Sequence, residues 1–186
     1  MVFPNKPDET SPPQVNFGES SDHYARMNLA NRIFFRLYQC ANVLHKTGTR
    51  AIESEGLTTQ QWAVLGALSH PKAEGGMSVG DLARFLLVSR QNLSGLLGRM
   101  ERDGHIQMVP DGRDRRSRLV TMTELGSHVW RIGAQPKIQK YYEQALDGFS
   151  VNDLSHTLHY LLKLLDNMQA VDRLQNNKDR PEQAPE

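Results

Sequence analysis

Eight arginines and no lysine fall between Arg84 and Arg118, together with four acids, Glu101, Asp103, Asp111 and Asp114. That stretch carries +4; because the whole chain carries +1, the remainder carries −3. A local basic patch on a near-neutral chain is the footprint of contact with phosphate, which the summed charge hides. The exclusive use of arginine matters. Its planar guanidinium makes forked bonds to phosphate oxygens and base edges that a lysine ammonium cannot match. Within the patch, Ser89 is followed closely by Arg90, Gln91, Asn92 and Ser94, and Arg99 comes a turn later. Arginine suits guanine, and glutamine and asparagine suit adenine. The run Asp111-Gly112-Arg113-Asp114-Arg115-Arg116-Ser117-Arg118 then adds four more guanidinium groups.

The elements that carry these groups can be placed from helix-start patterns. Thr58 with Gln61 three residues on forms a capping box, with Leu57 and Trp62 as an apolar staple around it. Ser78 is followed by Asp81 and Leu82, Ser150 by Asp153 and Leu154, and Ser89 by Asn92 and Leu93. In each case a side-chain oxygen can accept from a free backbone N–H. These starts predict helices over about 58–69, 78–86, 89–103 and 150–175. Leu82, Ala83, Leu86, Val88, Leu93 and Leu96 fall where two short helices joined by a tight turn must pack. Residues 106–110 and 117–122 have strand composition and bracket the Asp/Gly/Arg run, which predicts a β-hairpin. An earlier helix, from Asp22 to about Glu53, is marked by Met27, Ala30, Phe34, Leu37, Ala41 and Leu44 at three- and four-residue steps, with Gly48 fraying or bending its last turn. A later one is expected from about Thr123 to Asp147, kinked by Pro136 and stopped at Asp147-Gly148.

A helix pair followed by an arginine-loaded hairpin is a winged helix-turn-helix, built to put one helix in the major groove and a wing arginine in the minor groove. Asp114 is placed to hold such an arginine through a charge-assisted bond. The fold class is therefore mainly α with a small β-hairpin wing. Residues 1–21, with four of the nine prolines, and residues 177–186 are expected to be flexible tails. Between them lies one domain, about 22–176. Its reading lobe spans about 58–122 and is flanked by helices at about 22–53 and 124–175. The last of these carries a wide apolar stripe of Leu154, Leu158, Leu161, Leu162, Leu165 and Met168, which needs a partner surface.

Other chemistries find no support. There is no phosphate loop, no Gly-x-Ser-x-Gly elbow, no His-Glu-x-x-His and no nucleophile with an identifiable base, so an enzyme is not expected. His156 and His159 lie three apart, but no Cys, Asp or Glu completes a metal set at suitable spacing. Neither metal nor cofactor is expected. No run approaches a membrane-spanning length, and no secretory signal is visible at the start. The lone Cys40 cannot form an intramolecular disulfide and fits a cytoplasmic chain. Its mid-helix place among apolar residues suggests an inert, buried thiol.

The sequence closely resembles the MarR family of winged-helix transcription regulators, in the branch that governs aromatic-acid catabolism. The match rests on Asp114, Arg116, Met122-Thr123 and Gly126 at the family's wing spacing, and on the recognition helix; it extends over roughly residues 22–175. It departs from the pattern at Met108, where many relatives carry an arginine, and at Leu87, where many carry glycine. The resemblance implies that Arg116 inserts into the minor groove, braced by Asp114. It also implies that the terminal helices of two chains interleave into a homodimer reading a palindromic operator. A small aromatic acid or phenol would bind between the dimer helices and the reading head; Phe34, Tyr38, His45 and Trp62 can form such a slot, with Arg36 or His45 meeting a carboxylate. The expected function is a ligand-released repressor of a catabolic operon. Two alternatives stand beside it: a redox regulator of the same fold using Cys40, and a winged-helix interaction module that no longer reads DNA.

Overall fold

A computed structural model describes residues 19–112 and 117–178. The chain divides into two compact units, one running to Ala134 and the other beginning at Gln135. Mostly helical, it carries a single small antiparallel sheet among the described residues.

The first unit opens with α1 (Glu19–Ala51), a 33-residue helix. Gly48 does not fray it; the helix continues to Ala51 and a short 3-10 turn, Glu53–Glu55, closes on Gly56. α2 (Thr59–Leu68) begins at the expected box: Thr58 Oγ1 accepts from the Gln61 N–H at 3.3 Å, and the Thr58 N–H donates to Gln61 Oε1 at 2.8 Å. α3 (Val79–Leu86) and α4 (Arg90–Arg102) follow, capped by Ser78 and Ser89, whose hydroxyls accept from the N–H of Asp81 and Asn92. β2 (Ile106–Pro110) and β3 (Arg118–Met122) pair antiparallel, with Met108 opposite Val120. Ahead of α3 lies β1 (Met77–Ser78), a two-residue strand absent from the sequence expectation. It pairs with β3, so the order is β1-β3-β2 and the hairpin becomes a three-stranded sheet.

The core forms where these elements meet. Val64, Leu65, Leu82, Leu93, Leu97, Met100, Ile106 and Val120 are fully enclosed. Of the expected helix-turn-helix packing positions, Leu82, Ala83, Leu93 and Leu96 are buried and Leu86 is half-buried. Val88 is the exception, at 44% exposed, so its expected packing role is not filled. The cause lies one residue earlier. Leu87 sits in the left-handed region, at φ 55° and ψ 41°, so the Val88 N–H turns back to the Ala83 carbonyl at 3.1 Å and its side chain is left outside. The turn therefore keeps a glycine-like backbone despite carrying leucine.

After β3, the chain does not form one kinked helix. α5 (Glu124–His128), capped by Thr123, passes into a π-helical segment, Val129–Ala134, and then into α6 (Gln135–Ala145). Pro136 has no N–H to offer the carbonyl four residues back, and widening the preceding turns lets later donors serve those carbonyls. Trp130 of the π segment is buried against α2 near Gly66.

The second unit holds α6 and α7 (Val151–Lys178). Gly148, at φ 81°, ends the connection, and Ser150 and Asp153 cap α7 reciprocally. Asp153 is held below the usual carboxylate value by the Ser150 hydroxyl and then by its N–H. Along α7, Leu158, Leu161, Leu162, Leu165 and Met168 are exposed, and Leu154 is half-buried. On α1 the expected stripe is likewise uncovered at Met27, Phe34, Ala41 and Leu44. Cys40 is exposed as well, correcting the expected buried thiol: among the described residues nothing packs over it in the middle of α1.

Two stability outcomes follow from this backbone. Leu87→Gly relieves a left-handed strain of about 1–2 kcal/mol against a glycine entropy cost of about 0.5–1 kcal/mol. A net gain of about 0.5–1 kcal/mol is expected, read as a rise of a few degrees in the thermal midpoint. At Gly126 a Cβ would lie 1.8 Å from the His105 carbonyl oxygen, a backbone atom that cannot rotate away. Gly126→Ala should cost about 3 kcal/mol, the upper range for overpacking, and lower the denaturant midpoint accordingly.

Candidate nucleic-acid interface

The second helix of the pair, α4, buries one face and offers the other. Leu93, Leu96, Leu97 and Met100 point into the core, while Ser89, Arg90, Gln91, Asn92, Ser94 and Arg99 are all exposed. This division follows from the sequence: apolar residues at 93, 96, 97 and 100 occupy one helical stripe, and the polar residues fill the rest. Ser89 fixes the start of the helix, so the exposed residues crowd its N-terminal turns, where free N–H groups and the helix dipole favour an anion.

The exposed groups are not equally free to reach outward. The Ser94 hydroxyl donates to the Arg90 carbonyl at 2.8 Å, which leaves its lone pairs as acceptors. The Arg90 guanidinium lies back against α3, where a Cβ at Gly80 would come within 3.0 Å of Nη2. Glycine at 80 thus makes room for the arginine, a pairing that no local spacing rule reveals. Arg84, on α3, is tied to Asp81, its exposed neighbour one turn earlier. Arg102 and Asp103 form a loose exposed pair at 3.8 Å, a contact of small energetic weight.

The sheet sets the base of the wing. The Asp111 N–H donates to the Ser117 carbonyl at 3.0 Å, closing the last described rung before the tip. Arg118 is exposed, and its Nη2 donates to the Met108 carbonyl at 2.8 Å. The Met108 N–H in turn donates to Glu101 Oε1 of α4 at 3.2 Å. Glu101 was not singled out from the sequence, because its partner is a backbone group seven residues on. The tip residues Arg113, Asp114, Arg115 and Arg116 lie outside the described residues.

The residues expected to hold a small molecule are brought together only in part. On an α-helix, Phe34, Tyr38 and His45 share a face, whereas Arg36 lies about 200° round from Phe34. Its Nη1 donates to Gln39 Oε1 at 2.8 Å. His45 Nδ1 sits 3.0 Å from Thr59 Oγ1, at the start of α2, and Thr59 Oγ1 lies 3.3 Å from Thr49 Oγ1. Gly48 lets the two helices close: a Cβ there would meet Thr59 Cγ2 at 2.6 Å and the Trp62 ring at 3.1 Å. His45 and Trp62 therefore flank one junction, while Phe34 and Tyr38 lie further along α1 and are exposed. Among the described residues no group of histidine, cysteine and acids could hold a metal ion, and no helix is long and apolar enough to cross a membrane.

Comparison with known proteins agrees with this geometry. Residues 55–117, the reading head as far as the wing, match the model of the MarR family. The chain is 74% identical over 148 residues to the transcriptional activatory protein BadR of Rhodopseudomonas palustris, covering 80% of this chain and 85% of that protein. It is 29% identical over 110 residues to the homoprotocatechuate degradative operon repressor of Escherichia coli, covering 59% of this chain and 72% of that one. Staphylococcus aureus MepR, solved in complex with DNA, shares the fold at a TM-score of 0.65 and 19% identity, over 72% of this chain and 96% of that one. These regulators are not enzymes, and the chain belongs to the MarR family of winged-helix transcriptional regulators.

Proposed function

We propose that the chain acts in the cytoplasm as a homodimer that binds a palindromic operator near an aromatic-catabolism operon and responds to a small aromatic acid or phenol. The observation that carries the DNA reading is the division of α4. Gln91, Asn92 and Ser94 stand outward at a capped helix start, while Leu93 and Leu97 lock the opposite face into the core. In this reading Gln91 and Asn92 meet base edges, and Arg90 joins them by swinging its guanidinium off Gly80. Ser89, Ser94 and Arg99 meet the backbone of the major groove. Arg113, Arg115 and Arg116 of the wing enter or border the minor groove, with Asp114 bracing Arg116. Support for the dimer comes from the uncovered apolar residues of α1 and α7, far more than a soluble monomer normally leaves in water. Half-sites about one helical turn apart would match its twofold axis.

Support for an aromatic effector is the name of the homoprotocatechuate operon repressor, together with the His45–Trp62 junction beside α1. Repression by covering the promoter, relieved when the ligand favours a non-binding spacing of the two heads, is the simpler mechanism. The activatory name of the 74% identical relative favours a second reading, in which the bound dimer assists transcription. A promoter reporter carrying the protected site, assayed with and without the chain, separates the two by the sign of the change.

Footprinting of DNA upstream of the chain's own coding region tests the core of this function, and protection of a twofold-symmetric site is expected. Arg116→Ala should weaken binding to all duplexes and reduce the salt slope by about one unit. Gln91→Ala or Asn92→Ala should instead relax preference at one base position, by about 1–3 kcal/mol. Uniform loss from both kinds of substitution would contradict the assigned roles. Titration of benzoate-type acids and phenols, followed by tryptophan fluorescence, should give a saturable change that shifts DNA affinity; flat titrations across the series would remove the aromatic effector.

A further inference from the structure

β2 is the edge strand of the sheet, and Met108 stands at its centre. The rung between Asp111 and Ser117 is hydrogen-bonded. Bonded and non-bonded rungs alternate in an antiparallel pair, so Met108 and Val120 form a non-bonded rung. The N–H and C=O of Met108 therefore face away from β3, toward the free edge. Such groups usually go to water. Here both are taken by charged side chains from two different elements. The Glu101 carboxylate, from the last turn of α4, accepts from the N–H, and the Arg118 guanidinium, from β3, reaches diagonally to the carbonyl. Bonds with one ionised partner are stronger than neutral ones. Recognition helix, edge strand and inner strand are thus tied through one peptide-bonded residue.

We propose that Glu101 and Arg118 are positioning residues that set the angle between the recognition helix and the wing, with the backbone of Met108 as the shared anchor. This rests on the DNA reading proposed above. Helix and wing enter neighbouring grooves of one duplex, so the angle between them decides whether both can seat at once. Arg118 serves the protein rather than a phosphate. Met108, which stands where many relatives carry arginine, contributes through its main chain. Glu101 is an acid close to the face that meets a polyanion, a place where charge alone disfavours it. The bond it accepts gives an acid a use at that place.

That conflict gives the test its sign. Affinities of the full-length chain are measured across salt for the duplex that the wild-type protein protects upstream of its coding region, and for a random duplex of equal length. By charge alone Glu101→Ala should bind both more tightly. The brace predicts about tenfold weaker binding to the protected duplex, with no loss on the random one. Glu101→Gln keeps an acceptor without the charge and should stay within about threefold of wild type on the protected duplex. Arg118→Ala should weaken binding to the protected duplex about tenfold while leaving the salt slope unchanged. Glu101→Ala binding the protected duplex as well as wild type, Glu101→Gln falling as far as Glu101→Ala, or an Arg118→Ala slope lower by about one unit would each overturn the proposal. Glu101→Gln and Arg118→Ala carry the test by themselves if Glu101→Ala fails to fold. A wild-type chain that protects no duplex overturns the DNA reading as well; protection by wild type with an unaffected Glu101→Ala overturns the brace alone.

Discussion

The carbonyl of His105 occupies space that any side chain at residue 126 would need, and the reading head is built around that contact. Three stretches meet there: the end of α4, the first residue before β2, and the start of α5. The His105 N–H donates to the Met100 carbonyl at 2.9 Å, and its own carbonyl accepts from the Thr123 N–H at 3.2 Å. The Thr123 hydroxyl donates to the Gly104 carbonyl at 2.6 Å and accepts from the Gly126 N–H at 2.9 Å. One threonine thus caps α5 and fastens the far end of the hairpin to the exit of the recognition helix. The base of the wing is a fixed platform, which a minor-groove contact requires, because a finger on a loose hinge would lose to entropy what it gained in contacts.

What was legible in the sequence follows from how local each determinant is. The serine and threonine caps at 58, 78, 89 and 150 act within three residues, and each is found where its spacing placed it. The hairpin strands were equally plain, because their composition and the loop between them lie in one stretch. The failures lie where a distant element or a backbone compromise decides the outcome. β1 is two residues long and exists only because β3 offers it an edge. Val88 looked like a core residue by spacing, but the left-handed Leu87 beside it turned its side chain out. Pro136 announced a disturbed helix without revealing that the turns before it would widen into a π segment. For the interface, the exposed polar row on α4 could be read from the helix period, whereas the use of Gly80 by Arg90 and of Met108 by Glu101 depends on tertiary approach.

The two long helices pose a different problem. α1 carries Phe34, Phe35, Tyr38 and Leu44 exposed along its length, and α7 does the same with its leucines. Burial of one such side chain contributes about 1.5–3 kcal/mol, so the proposed dimer would draw much of its stability from these faces. Folding and DNA reading would then share one equilibrium, and an effector would act by biasing it. To carry the two heads of such a dimer from almost fully seated to almost fully released, a ligand would have to prefer the released form by about 10⁴-fold. A junction such as that of His45, Thr59 and Trp62, where α1 abuts the first helix of the head, is a place where a small wedge could separate the two states.

The charge distribution sharpens the same economy of function. The segment from Arg84 to Arg118 carries +4 and the rest of the chain −3, so attraction to duplexes is confined to the head. Sequence-independent affinity scales with the number of phosphates neutralised and falls steeply with salt. A protein with little excess positive charge therefore gains less from indiscriminate contacts, and discrimination would fall to geometry: capped helix, outward amides, and the proposed wing angle. On this view the acids inside the basic segment are not a dilution of it. Glu101 takes the edge of β2, and Asp81, just ahead of the segment, orients Arg84, so each negative group trades some non-specific attraction for the fixed placement of a neighbouring group.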